Sequence, residues 1–284
     1  MNWTTLGFEK NKQYFERLLL EENLGQAYLL TGQEMIGKKT FALDLVKLAN
    51  GFLGEQVNDP DLIFLDREKG LGIDQIRTLK HFLYLRPYSG RYRIALIDEA
   101  DSMGGEAANA LLKVLEEPPA SSLILLITAN RRSLLPTIFS RTMEIKFSPH
   151  PRAQLLAHLS KMGLNQKQAE FLADFANGRL GLAYRLQQGN QFKEIRKNLE
   201  HFNDLAQADY YTRLAFAEKI FAPKTEIDPQ GLLLNWMFYL RSDFSKGLKV
   251  NRPVLLRKML ETNMILSKSQ YNHRLALENL LLSL

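Results

Sequence analysis

A short apolar run, Ala27-Tyr28-Leu29-Leu30, ends in Thr31-Gly32, and after Gly37-Lys38 the apolar residues take up helical spacing at Phe41, Ala42, Leu45, Val46, Ala49 and Phe52. An apolar strand, a glycine turn and an amphipathic helix are the parts of a βα unit. Strand-like runs follow at Leu62 to Leu65, Ile94 to Ile97 and Leu123 to Ile127, with helix candidates at about 74 to 85 and 104 to 117 between them. On the second of these helices Ala107, Ala108, Leu111, Leu112 and Leu115 share one face, and Pro118-Pro119 stops it. Alternation of this kind predicts a mostly parallel α/β sheet covered by helices.

After Pro149 the strand signal disappears and helical periodicity runs to Leu284, broken by short polar connectors. At 284 residues two or three domains are expected. The boundaries are placed at 1–148 for the α/β domain, 149–188 for a small domain of two or three short helices ending in the glycine-containing stretch Asn177-Gly178-Arg179-Leu180-Gly181, and 189–284 for an all-α domain with a connector at Pro223 to Pro229. The stretch Leu232 to Leu240 is either internal core or a subunit contact, core being the commoner meaning of such a run.

Composition removes several classes. The absence of cysteine excludes disulfides, thiolate metal sites and cysteine nucleophiles, and five scattered histidines leave little material for zinc. The longest apolar runs fall far short of the ~20 residues that span a bilayer, and Met1-Asn2-Trp3-Thr4-Thr5 begins no signal peptide. A soluble, cytoplasmic protein is expected. Lys and Arg exceed Asp and Glu by 37 to 31, which permits a basic face but does not establish one. No base-reading module is evident, so DNA contact is expected to be weak and directed at the backbone.

Two motifs carry chemistry. Gly32-Gln33-Glu34-Met35-Ile36-Gly37-Lys38-Lys39-Thr40 matches the phosphate-binding template G-x-x-x-x-G-K-[ST] at Gly32, Gly37 and Lys38. Its glycines let backbone N–H groups wrap phosphates, and its lysine reaches the β and γ oxygens. The Mg²⁺ hydroxyl is missing: Lys39 occupies its place, and Thr40 lies roughly 100° further round the helix. The bland alternative is a glycine turn closing an ordinary βα unit. Asp98-Glu99, at the end of the strand Ile94 to Ile97, is placed as a Mg²⁺-orienting Asp and a water-polarising Glu would be, or as a cap on the next helix. The two motifs stand in the expected order about 60 residues apart, which strengthens both.

A third stretch is more specific: Asn109-Ala110-Leu111-Leu112-Lys113-Val114-Leu115-Glu116-Glu117-Pro118-Pro119, then Leu135-Pro136-Thr137-Ile138-Phe139-Ser140-Arg141-Thr142. Through these motifs residues 27–148 resemble the AAA+ domain of bacterial clamp-loader subunits, whose signatures are N-A-L-L-K-x-L-E-E-P-P and P-T-I-x-S-R-C. The wider chain is similar to the delta-prime branch of the DNA polymerase III clamp-loader family, including Gly25 to Leu30, Pro87 to Arg93 and Asn272 to Glu278, with 190–270 the weakest part. The resemblance implies a P-loop AAA+ domain followed by a helical lid and an all-α collar. It implies a pentameric loader with gamma/tau-like and delta-like partner subunits, which opens a sliding clamp and places it on primer-template DNA. The two motifs above make Gly32, Gly37, Lys38, Thr40 and Asp98 candidate residues for binding ATP and Mg²⁺, and Glu99 a candidate catalytic residue. The resemblance also makes Arg141 an arginine finger that acts in trans on a neighbour's phosphate, a role suited to a permanently charged bidentate fork. Read without the motif, Arg141 is an arginine paired with a surface carboxylate.

The chain departs from the family pattern at several points. Thr142 replaces the motif's cysteine. The four-cysteine zinc module has no counterpart, with little room for one between Ala49 and Asp61, so zinc is not expected. Gly181 stands where hydrolysing subunits carry a sensor arginine, with Arg179 two residues out of register, and Thr128 and Asn130 compete for the first sensor position. These departures favour a scaffold with little or no ATPase of its own. Intact Lys38, Asp98 and Glu99 favour a competent gamma/tau-like ATPase, and the E-E-P-P and S-R signatures speak against a different AAA+ machine.

Overall fold

The computed structural model describes residues 1–51, 59–188, 191–222, 227–241, 251–268 and 270–284. Phe52, part of the connector at 223–229 and most of the stretch between Ala49 and Asp61 lie outside them. The chain divides into two compact units, 1–154 with 178–181, and 155–177 with 182–284.

In the first unit α1 (Glu9–Leu20) precedes β1 (Ala27–Thr31), α2 (Lys38–Asn50), β2 (Leu62–Leu65), α3 (Ile73–Leu83) and β3 (Arg93–Ile97). Then come α4 (Gly105–Glu116), β4 (Ser122–Thr128), the single turn α5 (Pro136–Phe139) and β5 (Met143–Lys146). All pairings are parallel and the strand order is β2-β3-β4-β1-β5. The register sets Leu29 beside Leu126 and Leu96 beside Leu125.

Side chains alternate across the sheet, and both faces are covered, which is why the strands read as continuous apolar runs. Tyr28, Leu30, Ile94, Leu96, Leu123 and Leu125 pack with Phe15, Phe41 and Leu45 of α1 and α2. Leu29, Ala95, Ile97, Ile124 and Leu126 pack with Ile76, Leu79, Leu111 and Val114 of α3 and α4. Every residue of β4 is buried.

The N-terminal segment is strapped onto α2. Buried Asp44 accepts hydrogen bonds from the backbone N–H and hydroxyl of both Thr4 and Thr5, at 2.6 to 2.9 Å. Trp3 stacks on Phe41 with ring centroids 4.6 Å apart. A second buried carboxylate, Asp61, orders the turn before β3 by accepting from the N–H groups of Tyr88, Ser89 and Gly90 and pairing with Arg93 at 3.0 Å. Burial pushes its carboxyl up, but these donors together hold it below the usual carboxylate range.

The second unit is helical among its described residues: the greater part of α6 (Arg152–Lys161), α7 (Gln166–Ala176), α8 (Leu180–Gln188) and α9 (Gln191–Gln207), then α10 (Tyr210–Ile220), α11 (Pro229–Arg241), α12 (Arg252–Leu266) and α13 (His273–Leu281). In α11, Leu232, Leu233, Trp236, Met237, Tyr239 and Leu240 are buried, so this stretch is chiefly core. Trp236 donates to the Asn198 carbonyl at 2.9 Å and packs on Phe202 and Phe216. Arg213 is buried with its guanidinium donating to the carbonyls of Leu205, Ala206 and Leu281. Among the described residues no helix is long and apolar enough to cross a membrane.

Candidate functional site

The carboxyl ends of parallel strands are where α/β sheets bind ligands. At the ends of β1, β3 and β4 lies a cavity of about 300 Å³ lined by Glu34, Met35, Gly37, Lys38, Lys39, Thr40, Arg67, Asp98, Glu99, Asp101, Ile127, Thr128, Ala129 and Gly181. Five of the seven residues expected to serve a nucleotide or its chemistry therefore line one cavity: Gly37, Lys38, Thr40, Asp98 and Glu99. Neither Gly32 nor Arg141 is among the lining residues.

The loop's shape depends on its glycines. Gly32 has φ 148°, and a Cβ there would run into the Phe147 carbonyl and approach the Ile36 side chain within 2.9 Å. Gly37 is left-handed at φ 111° and starts α2, turning that helix's unpaired N–H groups toward the cavity, an arrangement suited to anions.

Lys38 is buried and folds back, its Nζ donating to the carbonyls of Gly32 and Gln33 at 2.6 Å each. Burial brings its ammonium down to about 8, against the opposing pull of Asp98, Glu34 and Asp101. A phosphate at this loop would replace those two carbonyls as the partner of Nζ.

The acidic pair is already matched by cations of this chain. Lys39 Nζ lies 3.6 Å from Asp98 Oδ2 and 3.8 Å from Asp66 Oδ2. Arg67 Nε lies 3.2 Å from Glu99 Oε2, and Glu99 itself is left-handed at φ 51°. No sequence motif marks Asp66 and Arg67; their signal is their place directly after a strand, Leu62–Leu65, whose end falls beside that of β3. This donor set does not fit Mg²⁺: the position that should offer a hydroxyl instead carries an ammonium, which engages the carboxylate that should orient the metal.

The Thr128 hydroxyl is buried in the cavity wall, donating to Asp101 Oδ1 at 2.7 Å and accepting from the Asn130 N–H at 3.0 Å. Asn130 is exposed and caps the turn at Arg131–Ser133. Gly181 donates its N–H to the Met35 carbonyl at 2.7 Å, and a Cβ on it would come within 2.9 Å of that oxygen, so the loop itself fills the space a side chain would need.

Arg141 follows α5. Its Nη2 pairs with Glu116 Oε1 at 2.8 Å, and its Nη1 donates to the Thr137 carbonyl and the Ser140 hydroxyl at 3.1 Å each. The side chain is 34% exposed.

A β2-β3-β4-β1-β5 parallel sheet with a glycine loop after β1, an acidic pair after β3 and a helical region beyond defines an AAA+ protein. A family model described as DNA polymerase III, delta subunit, matches residues 7–151, and the chain belongs to the DNA polymerase III clamp-loader family. It is 31% identical over 192 residues to the DNA polymerase III subunit delta' of Bacillus subtilis, covering 61% of this chain and 58% of that one. It is 31% identical over 168 residues to the subunit tau/gamma of Haemophilus influenzae, covering 54% of this chain and 24% of that one. The chain thus spans well under two thirds of the length of either relative. In fold it is similar to a DNA polymerase III gamma subunit-related protein from Thermotoga maritima, with TM-score 0.59, 21% identity, and 94% and 97% of the two chains covered.

Proposed function

We propose that this chain is a delta-prime-like scaffold of a cytoplasmic DNA polymerase III clamp loader, which donates Arg141 in trans to the ATP site of a neighbouring subunit. Its partners in this reading are gamma/tau-like and delta-like subunits and the sliding clamp, with primer-template DNA met through the assembled complex. Residues 149–188 serve as the lid and 189–284 as the collar that joins the ring. The observation that carries the proposal is the opposition between two sites. The chain's own cavity has Lys39 on its metal-orienting carboxylate, while Arg141 sits apart from that cavity and is partly exposed.

In phosphoryl transfer the protein's contribution is positioning and charge stabilisation. Arg141 can supply both to a neighbour, because its planar fork stays charged and binds phosphate bidentately. Gly37, Lys38 and the first turn of α2 would hold nucleotide phosphates in this chain's own cavity. No step of hydrolysis is assigned there, since the residues do not fit the metal. Steady-state turnover by the purified chain tests the reading, and it should be negligible.

A competent gamma/tau-like ATPase is the second reading, favoured by Lys38, Asp98 and Glu99 lining a single cavity. Robust turnover by the chain alone, abolished by Lys38→Ala, would establish it in place of the scaffold.

A further inference from the structure

Lys39 occupies the place where the phosphate-loop template provides a metal-binding hydroxyl, and three groups hold its ammonium there. Asp98 and Asp66 approach it at 3.6 and 3.8 Å, and the Phe64 ring centroid lies 4.4 Å away. The carboxylates come from the ends of β3 and β2 with side chains 18% and 16% exposed, while the lysine side chain that meets them is 48% exposed. An aromatic face under an ammonium adds attraction of its own.

Carboxylates at the mouth of a phosphate loop repel the ligand's oxygens unless a cation stands between them. In this cavity the chain supplies such cations to two of the four lining carboxylates: Lys39 meets Asp98, and Arg67 meets Glu99 at 3.2 Å, while Glu34 and Asp101 line it as well. Lys38, whose Nζ donates to the carbonyls of Gly32 and Gln33, is the cation free to exchange those neutral partners for a phosphate. A divalent ion at Asp98 would have to displace an ammonium of like sign.

We propose that Lys39 is a resident cation in place of Mg²⁺, so that this cavity takes a nucleoside triphosphate without a divalent metal. The inference deepens the reading of the cavity as a nucleotide-phosphate site and rests on it. It makes Lys39 a specificity-determining residue, selecting the metal-free form of the nucleotide over its Mg²⁺ complex.

The test is calorimetric titration of ATP into the full chain, once with excess Mg²⁺ and once with EDTA, for the wild type, Lys39→Thr and Lys39→Met. Wild-type affinity should be weaker with excess Mg²⁺, which draws the nucleotide into its metal complex. Lys39→Thr restores the template hydroxyl and exposes Asp98, so its ATP affinity should rise roughly tenfold or more with Mg²⁺, an ordinary coupling between two ligands. By the same reciprocity Mn²⁺ should bind to the Lys39→Thr chain in the presence of ATP, read by spin resonance, and not to the wild type. Lys39→Met removes the cation without adding a metal ligand and should weaken binding in EDTA. Wild-type affinity that is equal or higher with Mg²⁺, or a Lys39→Thr chain indifferent to it, overturns the resident-cation proposal and leaves the phosphate site standing. No binding by the wild type in either condition removes the phosphate site and this proposal together.

Discussion

The guanidinium of Arg141 meets the Glu116 carboxylate at 2.8 Å, and this one ion pair joins the two stretches on which the family resemblance rests. Glu116 is the last residue of α4, at the start of Glu-Glu-Pro-Pro, and Arg141 follows Ser140 beyond α5. The pair therefore holds the arginine by the chain's own surface without burying it. In the proposed reading, Glu116 is a placeholder that a phosphate of a neighbouring subunit would replace.

Exposed pairs of this kind contribute little to folding, since 34% and 50% of the two side chains remain open to screening water. Glu116→Ala is expected to change unfolding free energy by less than about 1 kcal/mol. Urea denaturation measures this. A loss well above that figure would make Arg141 and Glu116 a structural clamp.

Lys38 gives the cavity a pH response. With its ammonium brought down to about 8 by burial, it is charged below that pH and increasingly neutral above it. A bound phosphate favours the charged form, so binding above pH 8 must take up a proton. ATP affinity should then hold steady between about pH 7 and 8 and fall by up to roughly tenfold per unit above. Lys38→Arg stays charged and should flatten the profile. An unchanged wild-type affinity up to about pH 9.5 would contradict the assignment of Lys38 to the phosphate.

The strap at the N-terminus is a separate matter of stability. Asp44→Ala leaves the N–H and hydroxyl groups of Thr4 and Thr5 without their buried acceptor. A loss of about 3 kcal/mol is expected, because donors to a buried charge are stranded when it is removed. Thermal or urea unfolding checks it, and a near-neutral effect would mean that the strap detaches at little cost.

Much of this architecture was legible because of where burial falls. The runs that became β1, β3 and β4 are buried on both faces, so they stand out as unbroken apolar segments, and α4 shows one apolar face ended by two prolines. β5 was missed for the converse reason: it pairs only with β1, and in Met143-Glu144-Ile145-Lys146 only Ile145 is buried. α1 was missed as well, with just Phe15 and Leu18 buried along twelve residues. In the site, the family resemblance sets Gly181 at a sensor-arginine position, but its hydrogen bond to Met35 is tertiary and leaves no mark in the sequence. The same holds for Asp66 and Arg67. They are ordinary surface types until the β2–β3 register sets them beside Asp98 and Glu99.

The central claim is that Arg141 works in a site this chain does not own, and the direct measurement is ATP turnover by a loader reconstituted with gamma/tau-like and delta-like partners, clamp and primed DNA. Arg141→Ala should leave folding and assembly intact and lower turnover. Fingers supplied in trans are worth roughly 10³ to 10⁵ in rate at a single site, so the loss seen across a loader with several sites will be smaller. Arg141→Lys keeps the charge without the planar fork and should restore little. Turnover and clamp-loading rates equal to wild type in an intact complex carrying Arg141→Ala would contradict the account and leave Arg141 as a surface arginine paired with Glu116.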